Sequence, residues 1–282
     1  MKKKLIATLV AGVVLSTGLI GLTACGGGGL EKGEEVTKED WAKAFTATIE
    51  LKNFTAETVS ESSGTATGSV DTGSGKVEVT VKTDSSSKSA QYVDIDGGKI
   101  YMTAEEAIKI EGANKALGEI LATSLSINDR DEKTNTAYYV VKEGEVIYSA
   151  DNDNDENKWD ADESGYLEHD LHDILGYESY ATEETGKVQA LSALYDAFTY
   201  SSGFYTATLW QYGYETKVTV SVKGGYVVGL QTEATVDMKA NEYNPLDTKG
   251  TNKQTFKITK IGSTTVTPSD DAKKAVEDYK AS

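Results

Sequence analysis

One cysteine, two histidines and two prolines occur among 282 residues. A single thiol, Cys25, closes no intrachain disulfide and cannot build a cysteine-rich zinc site. The two prolines, Pro245 and Pro268, are too few for a Pro-rich linker, so nothing divides the chain into separately tethered domains. Positive charge is scarce as well. The 28 Lys plus Arg stand against 45 Asp plus Glu, for a formal charge of -17. That balance excludes nucleic acid as a partner, because coating phosphates requires a basic surface. Long apolar runs are missing apart from one at the N-terminus. What is present, 38% hydrophobic and 9% aromatic residues, suffices for a packed core and argues against whole-chain disorder.

The N-terminus carries the clearest signal. Lys2, Lys3 and Lys4 precede residues 5–22, an apolar run interrupted by Thr8, Ser16, Thr17 and three glycines. A charged n-region before an apolar stretch reads as a secretory signal, although the run also nears the length of a spanning helix. The ending decides between them: Leu22, Thr23, Ala24 and Cys25 resemble the lipobox of bacterial lipoproteins. The resemblance implies that residues 1–24 are a signal peptide and that Cys25 receives a diacylglyceryl group and becomes the mature N-terminus. The chain is then expected on the extracytoplasmic face of the bacterial cell membrane, lipid-anchored. Two acyl chains at about 0.8 kcal/mol per buried CH2 hold firmly, so Cys25 serves as an anchor and not as a catalytic thiol. Residues 25–36, with four glycines at 26–29, read as a flexible tether. Cleavage removes three lysines and no acid, leaving 25 basic against 45 acidic residues and a net charge of -20. Anionic headgroups repel such a domain, so its membrane attachment rests on the acyl chains.

From Thr37 the pattern becomes structural. Thr37 and Asp40 have capping-box spacing, and Trp41, Phe45, Thr48 and Ile49 follow on one helical face. Beyond Asn53 the period drops to two, as in Val77, Val79 and Val81 and again in Val218, Val220 and Val222, which predicts half-buried antiparallel strands. Glycines at 97–98, 144, 213 and 224–225 mark hairpin turns. The spacing predicts strands over 53–61, 64–70, 76–82, 88–96, 99–103, 136–142, 145–150, 203–211, 215–223, 226–238 and 252–262. Three helices are expected among them, carried by Leu117, Ile120, Leu121 and Leu125; by Leu167, Leu171, Ile174 and Leu175; and by Val188, Leu191, Leu194, Tyr195 and Phe198. A last helix should follow Pro268 with Ser269 as its N-cap. Residues 37–282 read as one α+β domain.

Several strings within it look familiar. Trp41 and Phe45 on the first helix, Asn53, Phe54 and Thr55 opening a meander, and Lys99, Ile100 and Tyr101 behind two glycines are similar to Gram-positive surface lipoproteins. With Leu194 to Phe198 and Gly203 to Ala207, they resemble the LolA/LppX-like class. The resemblance implies a strongly curved antiparallel sheet, an open half-barrel of about eleven strands, with helices covering the concave face over an apolar cavity. It further implies carriage or sensing of an apolar, lipid-like ligand. The alternative is a self-filled core whose surface contacts glycans or partner proteins.

Other motifs carry candidate chemistry. Asp151, Asp153 and Asp155 take positions 1, 3 and 5 of a calcium loop, and hard oxygen ligands suit Ca2+. However, Glu156 stands where the turn needs glycine, and Asp162 where a bidentate Glu belongs, so a solvated acidic loop fits better. His169 and His172 have the i, i+3 spacing that can share a metal, but two ligands do not make a zinc site; both are expected on the exposed face of their helix. Asp71, Thr72, Gly73 and Ser74 spell the aspartic-protease tetrapeptide in one copy, where that chemistry needs two carboxylates, and read as a turn. Gly75 and Lys76 lack the glycine and the Ser or Thr of a phosphate loop. No nucleophile-elbow string is present. Tyr205, Trp210, Tyr212 and Tyr214 gather around one strand and its turn, which suits half-wet contacts and also plain strand formation. The expectation is a non-enzymatic protein without cofactor or metal.

Overall fold

The computed structural model describes residues 29–71, 75–117, 128–152, 158–163, 166–169, 171–172, 174–175, 179–183, 186–211, 214–240 and 246–282. Helix α1 (Lys38–Ile49) leads into β1 (Asn53–Asp71), β2 (Lys76–Asp94), β3 (Lys99–Glu111) and the short α2 (Ala113–Leu117). Then come β4 (Arg130–Glu143), β5 (Val146–Asp151), β6 (Asp160–Glu163), β7 (Ser179–Ala181), β8 (Val188–Ala190) and β9 (Thr199–Ser201). The chain ends with β10 (Phe204–Gln211), β11 (Tyr214–Lys223), β12 (Tyr226–Met238), β13 (Leu246–Thr259) and α3 (Asp270–Lys280). These strands form one antiparallel sheet in the order β6-β5-β4-β3-β2-β1-β13-β12-β11-β10-β7-β8, with β9 on β10. The sheet is open, with β6 at one edge and β8 at the other.

Thirteen described strands replace the expected eleven, and two pairs of expected strands are single long ones. β1 and β2 each run unbroken for 19 residues through Ser62–Gly64 and Ser85–Ser87. Serine and glycine are poor strand formers and read as turns. Here β1 is hydrogen-bonded to β2 on one side and β13 on the other along almost its whole length, and that double ladder outweighs local preference.

Side chains alternate between two faces. On the front face, Phe54, Val93, Ile100 and Val140 stand side by side across β1 to β4. They join the main core with Phe256, Leu230, Val220 and Leu209. α1 lies on this face and buries Trp41, Ala44, Phe45 and Thr48, one helical stripe. Its start has Thr37 as N-cap, the Asp40 amide donating to Thr37 Oγ1 (3.2 Å); the Asp40 carboxylate accepts from the Thr37 hydroxyl (2.7 Å) rather than from the Thr37 amide as a full capping box requires. The Thr48 hydroxyl accepts from the Val227 amide at 2.8 Å and so ties the helix to the start of β12.

On the back face, Tyr92, Tyr101, Tyr139 and Ala150 are neighbours across β2 to β5. α3 begins at Ser269, whose hydroxyl accepts from the Ala272 amide as the sequence predicts. It sets Ala272 and Val276 against Tyr139, Val141 and Ala150. α1 and α3 therefore cover opposite faces. The chain is carried onto the back face by Asn53, whose side chain exchanges hydrogen bonds with the Thr264 backbone (3.1 and 2.7 Å).

Two expected helices differ. Val188–Ala190 is a strand, and Leu191–Ala193 and Tyr195–Ala197 are single 3-10 turns. The Leu191 carbonyl, which an α-helix would offer to Tyr195, instead accepts from the Leu194 amide and the Trp41 indole, both at 3.1 Å. Residues 166–169 have no regular structure; Leu171 and His172 are helical, and Ile174 and Leu175 lie in a π turn. Ile120, Leu121 and Leu125 lie outside the described residues.

Candidate functional site

The expected tether is in part a docked strap. Residues 30–36 begin on the back face, pass round the ends of β11 and β10, and reach the front face at α1. Leu30 lies against Gly229, a back-face position of β12. The Ser221 hydroxyl donates to the Glu31 carbonyl at 2.5 Å, and Lys223 pairs with the Glu31 carboxylate. The Gly33 amide donates to the Gly203 carbonyl and the Glu34 amide to the Val222 carbonyl, both at 2.8 Å. Only glycine fits at 33, because a Cβ there would stand 2.3 Å from the Val222 oxygen. Glu34 then caps the β11–β12 hairpin, its carboxylate accepting from the Gly224 amide at 2.8 Å. That hairpin turns on Gly224 and Gly225, both at positive φ, as a two-residue primed turn requires.

Three tyrosines lock the end of the strap. The Val36 amide donates to the Tyr205 hydroxyl at 2.6 Å, and the Val36 carbonyl accepts from Tyr195 at 2.9 Å and Tyr205 at 3.0 Å. The Tyr200 hydroxyl donates to the Gly33 carbonyl at 3.2 Å. Two of these rings flank Trp41, with the Tyr205 centroid 4.9 Å away and Tyr195 5.8 Å away, and Tyr200 packs on Tyr205. Burial pushes the Tyr205 phenol above its ordinary pKa, outweighing the Val36 amide bond, which acts to lower it. Tyr205 is thus an internal latch and not part of a surface aromatic cluster. Trp210 of the same strand faces the back at 38% exposure, Tyr214 donates to Met238 Sδ at 3.1 Å, and Tyr212 lies outside the described residues.

A second feature lies on the back face beside α3. Three rows of side chains cross the strands there. Tyr92 and Tyr101 form an aromatic row, Ala90, Thr103 and Ala137 a small one, and Lys88, Glu105 and Asn135 a long polar one. The size difference makes the middle row the floor of a trough of about 370 Å3, closed at its ends by Glu57 and Asn152. Tyr92 is stacked on Tyr101 with centroids 6.3 Å apart and planes at 25°. Lys88 and Glu105 pair at 3.8 Å. A wider groove of about 710 Å3 crosses the far end of the same face, lined by Ser63, Lys82, Asp84, Asp237, Lys249 and their neighbours; its Lys249 and Asp237 pair at 2.9 Å.

The residues singled out in the sequence fall elsewhere. Cys25 and its preceding Leu22, Thr23 and Ala24 lie outside the described residues, as do Asp153 and Asp155. Asp151 ends β5 opposite Asp160 of β6, and among the described residues no three His, Cys, Asp or Glu side chains gather as a metal site. His169 and His172 do not share an exposed helical face. His169 precedes the helical residues and is half-buried edge-on to Phe54 at 5.2 Å, whereas His172 is exposed. An imidazole beside an apolar ring is drawn inward by its own apolar body. Asp71 closes β1 opposite Lys76, a hairpin position, and residues 72–74 lie outside the described residues. Among the described residues, no helix is long and apolar enough to cross a membrane. Neither a family model nor a curated protein matches the chain.

Proposed function

We propose that the chain is a lipid-anchored, extracytoplasmic binding protein that works without catalysis, held by Cys25 and pressed close to its membrane. The docked strap carries this reading. With residues 30–36 bound to the fold, only the four glycines 26–29 separate Cys25 from it, a reach of ~14 Å at about 3.3–3.6 Å per residue. A free tether of the full length would let the domain swing; this one holds it near the bilayer. The main core is filled by its own side chains, Trp41, Phe45, Phe54, Phe256, Leu191 and Leu209 among them, all buried. This favours recognition on the open surface.

Expression of the full chain with a palmitate analogue should label it, and Cys25→Ser should abolish both labelling and membrane retention. A Cys25→Ser protein that still labels and still sediments with membranes refutes the anchor.

A second reading, carriage of an apolar ligand within a curved half-barrel roofed by helices, draws on Ala66, Val79, Val81, Ile110 and Leu246. These are buried on the front face far from α1, and a band of Ser60, Ser62, Ser85 and Ser87 lies between them and the main core. Solvent extraction of the purified chain followed by mass spectrometry should then release lipid in stoichiometric amount; a protein purified without lipid removes this reading.

A further inference from the structure

We propose that the trough beside Tyr92 is a binding site for a neutral sugar ring, resting on the reading of the chain as an extracytoplasmic binding protein. Its shape is built by sequence choices that the strands themselves do not need. Alanine is a poor strand former, yet Ala90 and Ala137 occupy the same row on a face that α3 covers only one row further on. Ala90 is only 8% exposed, and among the described residues it is the walls beside this floor, Tyr92, Lys88 and Glu105, that line the trough with it.

The walls select the ligand class. Tyr92 offers one ring side, held in place by its stack on Tyr101, and an amphipathic ring suits a partner with both apolar C–H and polar groups. Thr103, Asn135, Asn152 and Glu57 supply donors and acceptors together, the mixture that a ring bearing several hydroxyls requires. An apolar ligand would strip water from these groups and return no hydrogen bonds. An anionic ligand would meet no surplus of positive charge: the Lys88 ammonium faces Glu105 at 3.8 Å, Glu57 adds a carboxylate, and the mature chain is strongly acidic overall. A cross-strand row spaced at about 4.8 Å per strand extends the trough over four strands, long enough for a short run of rings.

The strap leaves the fold on this same face, at Gly229, in register with Lys257 and through it with Glu57. The ring can therefore come from a free glycan or from a glycolipid headgroup. The experiment has one arm for each. The full chain in mild detergent is titrated with chitotetraose and cellotetraose by calorimetry, and separately presented to neutral phosphatidylcholine vesicles with and without diglucosyl diacylglycerol. Saturable binding in either arm is expected, weakened about tenfold by Tyr92→Ala, the scale of one aromatic contact. Asn135→Ala, on the exposed rim where folding is not at stake, should weaken it about fivefold, the scale of one hydrogen bond. Absence of saturable binding in both arms, or binding unchanged in both variants, overturns the site. Failure here leaves labelling at Cys25 untouched, whereas loss of labelling strikes the anchor and not the trough.

Discussion

Replacing Gly33 by alanine isolates the strap. The new Cβ would lie 2.3 Å from the Val222 carbonyl oxygen, 2.7 Å from the Val222 nitrogen and 2.9 Å from Ser221 Oγ. β11 cannot retreat, because β10 and β12 flank it and Val222 is fully buried. The strap has to leave. It then loses the Gly33–Gly203, Glu34–Val222 and Ser221–Glu31 hydrogen bonds, about 3 kcal/mol at about 1 kcal/mol each. Backbone freedom regained by the released residues offsets part of that loss, so global stability should fall by about 1–2 kcal/mol, less than the bonds alone represent. The local effect is larger. Hydrogen exchange read by mass spectrometry should show the amides at 33 and 34 protected in the parent and exchanging like free peptide in Gly33→Ala, with a new trypsin cut after Lys32. Unchanged protection in the variant, or a parent strap already exchanging freely, refutes the docking.

Tyr205→Phe keeps the ring against Trp41 but strips the Val36 amide of its acceptor, so urea unfolding should show a loss of about 2 kcal/mol. Tyr195→Phe should cost about 0.5–1 kcal/mol, since the Val36 carbonyl keeps Tyr205, and the double variant should exceed the sum of the two. Because the Tyr205 pKa is raised in the fold, the latch is fully present below the ordinary phenol value, near pH 10, and is lost as pH rises through the raised one. Trp41 fluorescence, quenched by a neighbouring tyrosinate, should follow that loss, and Tyr205→Phe should erase the step. Val276→Ala should cost about 2 kcal/mol by opening space between α3 and the back face. Thermal melts check the magnitude, and an unchanged melting point would mean that α3 does not depend on this contact.

Of the fold, the parts legible in the sequence are those decided by near neighbours. The Thr37 N-cap and the Trp41–Phe45–Thr48 stripe locate α1, Ser269 starts α3, and Gly224 with Gly225 closes a hairpin. Each is a geometry set within a few residues. The continuity of β1 through its serines was not legible, since it depends on partners up to about two hundred residues away. Nor was the 3-10 character of Leu191–Ala197, because the competing donor is the indole of Trp41. The strap was hidden for the same reason: Gly33 reads as flexible until Val222 stands beside it. The trough is likewise invisible along the chain, because Ala90, Thr103 and Ala137 come from three strands and become one row only when register aligns them. The sequence by itself determined local start and stop signals, and the resemblance of Leu22–Cys25 to a lipobox, on which the proposed anchor rests, is likewise a matter of near neighbours. Tertiary structure alone decided which distant side chains share a face and which apparent linker is bound, because those energies arise between residues that only the completed sheet makes neighbours.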